Sequence, residues 1–184
     1  MNNVPKQYAW LLKLQGLPQT IVQALPLLGT KEVAGTGNNP TIMAWAKAVG
    51  EDVFRAYYAD SVPWCGLWCA LVMKHAGKKV VKDPLWALNW GTFGVHSPMP
   101  GLGDVLVFVR RTSTGAFAGH VGLYVAEDPT HYHVLGGNQN DSVTISRLPK
   151  SRLYTARRPA YTNTPAAVRP YQVAATGLVS TSEA

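Results

Sequence analysis

The spacing of hydrophobic positions changes near residue 100 and divides the chain into a helical part and a β-rich part. Before that point, apolar residues recur at helical spacing between Gly and Pro breaks, which predicts helices at residues 8–14, 18–29, 40–50 and 63–77. After it, apolar runs and alternations predict strands at residues 105–109, 119–125, 130–135 and 143–146. Helices followed by an antiparallel β-meander predict an α+β fold.

The carboxyl-terminal segment has no such periodicity. From about Ala160 onward, Thr, Pro, Ala, Val and Ser dominate, a composition typical of an extended arm or a flexible tail. We therefore predict a domain at residues 1–159 and a tail at residues 160–184. A length of 184 residues, 47% of them hydrophobic, is enough for one domain with a proper core.

Charge and targeting features narrow the possible partners. Seventeen Lys and Arg against ten Asp and Glu give 17 − 10 = +7, which favours an anionic polymer as a partner. No recognition motif accompanies the charge, so we do not expect nucleic-acid binding. No apolar run is long enough for a membrane span, and the first residues lack the basic and apolar pattern of a signal peptide.

The only two cysteines are Cys65 and Cys69, and their spacing on one helix is unsuited to a disulfide or a zinc finger. The first turn of a helix lowers a thiol pKa through its unpaired N–H groups and its partial positive charge, and Cys65 is predicted to lie there. His120, on the polar side of a predicted strand, is a candidate base. Asn138 and His133 are the candidates to orient its ring.

Each of these residues also has a structural interpretation. A Cys at a helix start is commonly a small buried residue, and a Gly-Gly-Asn sequence is commonly a plain turn. Glu32 and Asp60 could bind the ammonium groups of a peptide or cap loops, and we favour capping. The tryptophans Trp64, Trp86 and Trp90 could line a cleft and stack on sugars or belong to the core.

Taken in order, several sequence blocks resemble the phage and prophage cell-wall hydrolases related to the NlpC-type and CHAP peptidases. These blocks lie between residues 24 and 159: Leu28-Gly29-Thr30-Lys31-Glu32-Val33, Asn38-Asn39-Pro40, Pro63-Trp64-Cys65, Gly103-Asp104-Val105, Gly119-His120-Val121-Gly122 and Leu135-Gly136-Gly137-Asn138-Gln139. The resemblance implies a papain-like fold and a cysteine amidase or endopeptidase that needs no metal or other cofactor. It implies Cys65 as nucleophile, His120 as base and Asn138 as third residue, with substrate contacts at Trp64, Asp60, Glu32 and Gly119.

The implied substrate is bacterial peptidoglycan, cleaved in the stem peptide or at the link between sugar and peptide. The positive charge fits an anionic envelope polymer, and phage particle proteins are further possible partners. The implied location is the host cytoplasm before release to the periplasm or cell wall, or the phage particle. The alternative is a structural or binding component of a phage particle that keeps a papain-like frame without turnover.

Overall fold

The computed structural model describes residues 3–111 and 115–180 as a helical layer packed on an antiparallel sheet. The order of elements along the chain, helices first and the sheet second, is the α+β arrangement predicted from the hydrophobic pattern. The predicted α+β class is therefore confirmed.

Within the described residues, six strands form the sheet in the order β1-β6-β2-β3-β4-β5. Their bounds are Val95–His96, Val105–Arg111, Phe117–Glu127, His131–Gly136, Thr144–Pro149 and Leu153–Arg158 for β1 to β6. Every pair is antiparallel. The four predicted strands correspond to β2 to β5, whereas β1 and β6 were not predicted. Strand β3 begins at Phe117, two residues before the predicted start at residue 119.

The α-helices are α1 (Gln19–Ala24), α2 (Pro40–Val49), α3 (Glu51–Ala56) and α4 (Cys65–His75). The first predicted helix is instead a 3-10 helix, Lys6–Lys13. The second ends early and continues as a 3-10 turn, Leu25–Leu27, because the ring of Pro26 prevents a continued α-helix. Asn39 caps α2, since its side chain accepts from the Thr41 N–H at 2.8 Å.

Helix α4 is the central element of the core. Its residues from Cys65 to Met73 are all buried, so it packs on every side rather than along one stripe. One face of the sheet, including Val107, Val121 and Leu123, joins α4 in the main core cluster. The other face carries a separate apolar cluster that includes Phe108 and Tyr124. The two faces therefore have different neighbours, which fixes where each strand side chain can act.

Residues 160–180 form an extended arm that pairs with the sheet. The Glu127 N–H donates to the Tyr171 carbonyl at 2.8 Å, and the Arg147 N–H donates to the Leu178 carbonyl at 2.7 Å. Single parallel bridges join Glu127 to Gln172 and Arg147 to Val179. Because β5 is an edge strand, the arm covers backbone groups that would otherwise face solvent. Residues 181–184 of the predicted tail lie outside the described residues.

None of the helices in the described ranges has the length and apolar character needed to cross a membrane.

Candidate active site

Cys65 is the first residue of α4, and it is 2% exposed. Trp64 occupies the N-cap position without a side-chain cap bond, so the first-turn N–H groups of α4 are not consumed by a capping side chain. Such N–H groups favour a negative charge on a nearby atom. Cys65 therefore lies in the first turn of a helix, as predicted.

Cys69 lies one turn further along the same helix in a different environment. It is completely buried, and burial, with a smaller contribution from Cys65, raises its pKa well above the ordinary thiol value. A thiol in such surroundings stays protonated and unreactive. The two cysteines are therefore not equivalent, and Cys69 is a packing residue.

His120 lies near the start of β3 and is 1% exposed. It stands directly opposite Phe108 on β2, whereas Val121 stands opposite Val107. Residues directly opposite in an antiparallel pair share a face, so His120 lies on the Phe108 face. As the alternation predicts, its side chain does not enter the helix-facing core.

Gln139 holds the His120 ring, which the sequence interpretation did not anticipate. The Gln139 Nε2 donates to the carbonyls of Thr144 at 2.7 Å and Val134 at 3.1 Å, which fixes the orientation of its amide group. Its Oε1 lies 3.2 Å from His120 Nε2 and can only accept a hydrogen bond. The ring nitrogen Nε2 therefore carries the proton, and the basic lone pair lies on Nδ1.

Asn138, the predicted third residue, lies in the same turn in an unusual environment. Its backbone φ is 55°, in the left-handed region that non-glycine residues rarely adopt. Its side chain is 2% exposed, and none of the residues in 3–111 or 115–180 donates to its Oδ1. A buried, unsatisfied amide oxygen at a strained position is typical of a site where structure is kept for function.

Two glycines bring this turn against both α4 and His120. A Cβ on Gly137 would lie 2.6 Å from Trp68 and 2.8 Å from the Trp64 ring, the two tryptophans that flank Cys65. A Cβ on Gly136 would lie 3.3 Å from His120 Nε2. Adjacent residues of one turn thus pack against two tryptophans near Cys65 and against the imidazole of His120.

The other predicted site residues surround this junction. The Trp64 indole N–H donates to Glu32 Oε2 at 3.0 Å, and burial raises the pKa of Glu32 while this hydrogen bond opposes the shift. Asp60 is 1% exposed, and its Oδ2 accepts from the N–H groups of Val33 at 3.0 Å and Asn39 at 2.7 Å. These contacts match the capping alternative for Asp60. Gly119 allows close packing of Leu88, which would lie 2.9 Å from a Cβ there.

His133, the reserve third residue, belongs to a different cluster. It lies on β4 with its Nδ1 at 2.6 Å from the Tyr8 hydroxyl and its Nε2 at 3.1 Å from Asp128 Oδ2. Neither contact involves the residues around Cys65. The structure brings together Trp64, Glu32 and the turn at 136–139, and it leaves His133 elsewhere.

Comparisons of this chain with protein families, with curated proteins and with solved structures give no match. The fold and this junction define the chain as an α+β protein with a candidate cysteine and histidine site.

Proposed function

We propose that this chain is a papain-like cysteine hydrolase that cleaves an amide bond of peptidoglycan. The observation that carries the proposal is the position of Gln139. This residue holds the His120 ring so that the ring's lone pair lies on Nδ1, and it belongs to a turn that packs on Trp64 and Trp68 near Cys65. A base with a fixed tautomer and a thiol at a helix start are the two groups that nucleophilic catalysis by cysteine requires.

The proposed reaction has two stages. The Cys65 thiol loses its proton to His120 Nδ1, and its sulfur attacks the amide carbonyl to give a tetrahedral oxyanion. Collapse of the oxyanion breaks the C–N bond, His120 returns the proton to the leaving amine, and a thioester remains on Cys65. Water, deprotonated by His120, then releases the acid and regenerates the thiol. Throughout, Gln139 Oε1 accepts from Nε2–H and stabilises the imidazolium.

The charge of the chain supports a wall polymer as substrate. A net charge of +7 favours association with an anionic envelope, and the resemblance of the Trp64-Cys65 and Gly119-His120 blocks points to the stem peptide or the link between sugar and peptide. An enzyme of this kind acts either during lysis of a host cell or from a phage particle.

The decisive experiment compares two cysteine variants of the full chain. Cys65→Ser should abolish clearing of a purified wall suspension, because a hydroxyl at this position is a far weaker nucleophile than a thiolate. Cys69→Ser is the matched control: it removes the other sulfur and should retain most of the activity. Iodoacetamide should inactivate the wild type, and a chelator should have no effect. Undiminished lysis by Cys65→Ser would refute the assignment.

The near-complete burial of Cys65, 2% exposed, favours one rival. A chain that keeps the frame without turnover would serve as a structural or binding component of a phage particle. The same assay separates the two functions, because a non-catalytic chain binds walls without releasing soluble products in either the wild type or the variants.

A further inference from the structure

A groove of about 750 Å³ borders the start of α4, and its size is typical of ligand-binding pockets. One wall comes from α3 and the residues before it, and the other from the loop at residues 80–86. Val62 and Pro63 also line the groove, and the next two residues are Trp64 and Cys65. The groove therefore borders the chain segment that immediately precedes the proposed nucleophile.

The loop wall is fixed to the nucleophile helix by close contacts. A Cβ on Gly66, the second residue of α4, would lie 2.2 Å from the Pro84 carbonyl oxygen, so only glycine allows this approach. The buried Trp90 indole donates to the same carbonyl at 3.0 Å. The Asn89 side chain donates to the Asp83 carbonyl at 3.0 Å. The wall is thus preorganised relative to Cys65.

The chemistry of the groove is apolar with an acidic rim. Its interior is lined by Val49, Val53, Val62, Val81 and Leu85. Trp86 lies at the rim and is 58% exposed. Glu51 is paired with Arg55 at 3.4 Å, whereas the carboxylates of Asp52 and Asp83 have no cation within ion-pair distance in the described ranges. Among the described residues that line the groove, Lys82 is the one cation, against the carboxylates of Glu51, Asp52 and Asp83. The rim therefore keeps an excess of carboxylates in a chain of net charge +7, which suits a cation.

We propose that this groove binds the stretch of stem peptide next to the scissile amide, with Trp86 covering its small apolar side chains and Asp52 facing a free side-chain ammonium group. The inference rests on the proposed function. An apolar interior with few polar groups suits a short peptide better than the hydroxyl-rich glycan, and two carboxylates select a basic side chain over an acidic one.

The dimensions agree with this assignment. Two peptide units separate Pro63 from Cys65, so their Cα atoms are at most about 7.6 Å apart. An extended peptide advances about 3.4 Å per residue, so roughly two substrate residues span that distance. A peptide of two residues is therefore long enough to cover the distance from the groove residue Pro63 to Cys65.

The test measures hydrolysis of soluble muropeptides from a lysine-containing wall. Trp86→Ala should raise KM about tenfold with little change in kcat, because it removes an aromatic contact worth roughly 1.4 kcal/mol. Asp52→Asn should raise KM about two- to fivefold, as expected for an exposed ion pair. Tyr154→Ala is the matched control, since Tyr154 is an aromatic residue that is 63% exposed and lies on β6 outside the groove.

Acetylation of the lysine ammonium supplies a second arm. It should raise KM for the wild type and raise it less for Asp52→Asn, which has already lost one of the two carboxylates. Wild-type KM values for both groove variants would overturn the inference while leaving the hydrolase intact. If the wild type cleaves nothing, the proposed function fails, and calorimetric binding of the same muropeptides decides the groove: weaker binding by Trp86→Ala supports it, and unchanged or absent binding overturns it.

Discussion

Two buried histidines on neighbouring strands, His120 and His133, have different hydrogen-bond partners. Each is 1% exposed, and each directs its Nε2 at a side-chain oxygen. For His120 that oxygen belongs to the neutral amide of Gln139. For His133 it belongs to Asp128, whose Oδ2 also accepts from Arg147 at 2.8 Å. The difference lies in the charge of the partner and in how many groups share it.

The second ring nitrogen separates the two histidines further. His133 Nδ1 is bound by the Tyr8 hydroxyl, and burial raises the pKa of Tyr8 to about 12, so the phenol stays a donor. Burial also lowers the pKa of His133, against the opposing effect of Asp128. With both nitrogens used, His133 joins the amino-terminal 3-10 helix to β4 and has none to offer a substrate. The His120 tautomer instead places its lone pair on Nδ1.

The largest expected effect comes from exchanging each histidine for alanine. His120→Ala should lower kcat about a hundredfold to ten-thousandfold, the range lost when a general base is removed. It should cost less stability than His133→Ala, because the partner left behind is a neutral amide and not a buried carboxylate. His133→Ala should lower the free energy of unfolding by about 3 kcal/mol, because it leaves the buried Tyr8 and Asp128 groups without a partner. Wall-clearing rates and urea unfolding curves of the two variants measure both quantities.

His131→Ala is the control for the second variant. His131 lies on the same strand, with its Nδ1 3.8 Å from Asp128 Oδ1, but its side chain is 21% exposed. The substitution should therefore lower the free energy of unfolding by less than about 1 kcal/mol. The comparison breaks if His133→Ala loses activity without losing stability, since His133 would then belong to the reactive site.

Much of the fold follows from local signals in the sequence. Asn39 and Pro40 mark the start of α2, and the alternation around Val121 defines both faces of β3. The strands β1 and β6 carry no comparable pattern. β1 has only two residues, and β6 reads Leu-Tyr-Thr-Ala-Arg-Arg with a partly exposed burial pattern. Their pairing is a tertiary effect, so no short window of sequence could reveal it.

The candidate site also divides into residues with a local sequence signal, which were predicted, and residues placed by tertiary packing, which were not. The positions of Cys65 and His120 follow from a helix start and a strand alternation, which are local. The role of Gln139 depends on the orientation of its amide group. Carbonyls on two strands fix that orientation by accepting from Nε2: those of Val134 and Gly136 on β4 and that of Thr144 on β5. The sequence therefore predicts the turn that contains the orienting residue. Only the packing of the sheet shows that Gln139, and not Asn138, contacts the His120 ring.

Gln139→Ala sharpens that distinction. It should lower kcat tenfold to a hundredfold with KM unchanged, because a hydrogen bond to a charged ring is worth about 1.5 to 3 kcal/mol and each 1.4 kcal/mol is tenfold in rate. Steady-state kinetics on muropeptides measure the change, and circular dichroism verifies the fold.

Asn138→Gly is the matched control for Gln139→Ala. Glycine tolerates the φ of 55° at this position, so the variant removes the amide without adding backbone strain, and we expect a smaller loss of kcat. A greater loss in Asn138→Gly than in Gln139→Ala would return the orienting role to Asn138, as the resemblance implies.

The smallest expected effect is the pH dependence of stability at the His133 cluster, meaning Tyr8, Asp128, His133 and Arg147. The pKa of His133 is lowered in the folded state, so below about pH 6.5 the unfolded chain takes up a proton that the folded chain does not. Stability conferred by neutral His133 is therefore complete above that pH and falls as the pH decreases. One proton changes the free energy of unfolding by at most about 1.4 kcal/mol per pH unit.

Asp128 adds a separate step at lower pH. Burial alone would raise its pKa, but hydrogen bonds from Thr130, His133, His131 and Arg147 together hold it well below the ordinary value. Its contribution is present above about pH 3.9 and is lost as the pH falls further. Urea unfolding from pH 7.5 to pH 4.5 isolates the histidine step, and His133→Gln should flatten the curve because glutamine does not titrate. A slope that persists in His133→Gln would assign the proton to another histidine and remove the contrast between the two imidazoles.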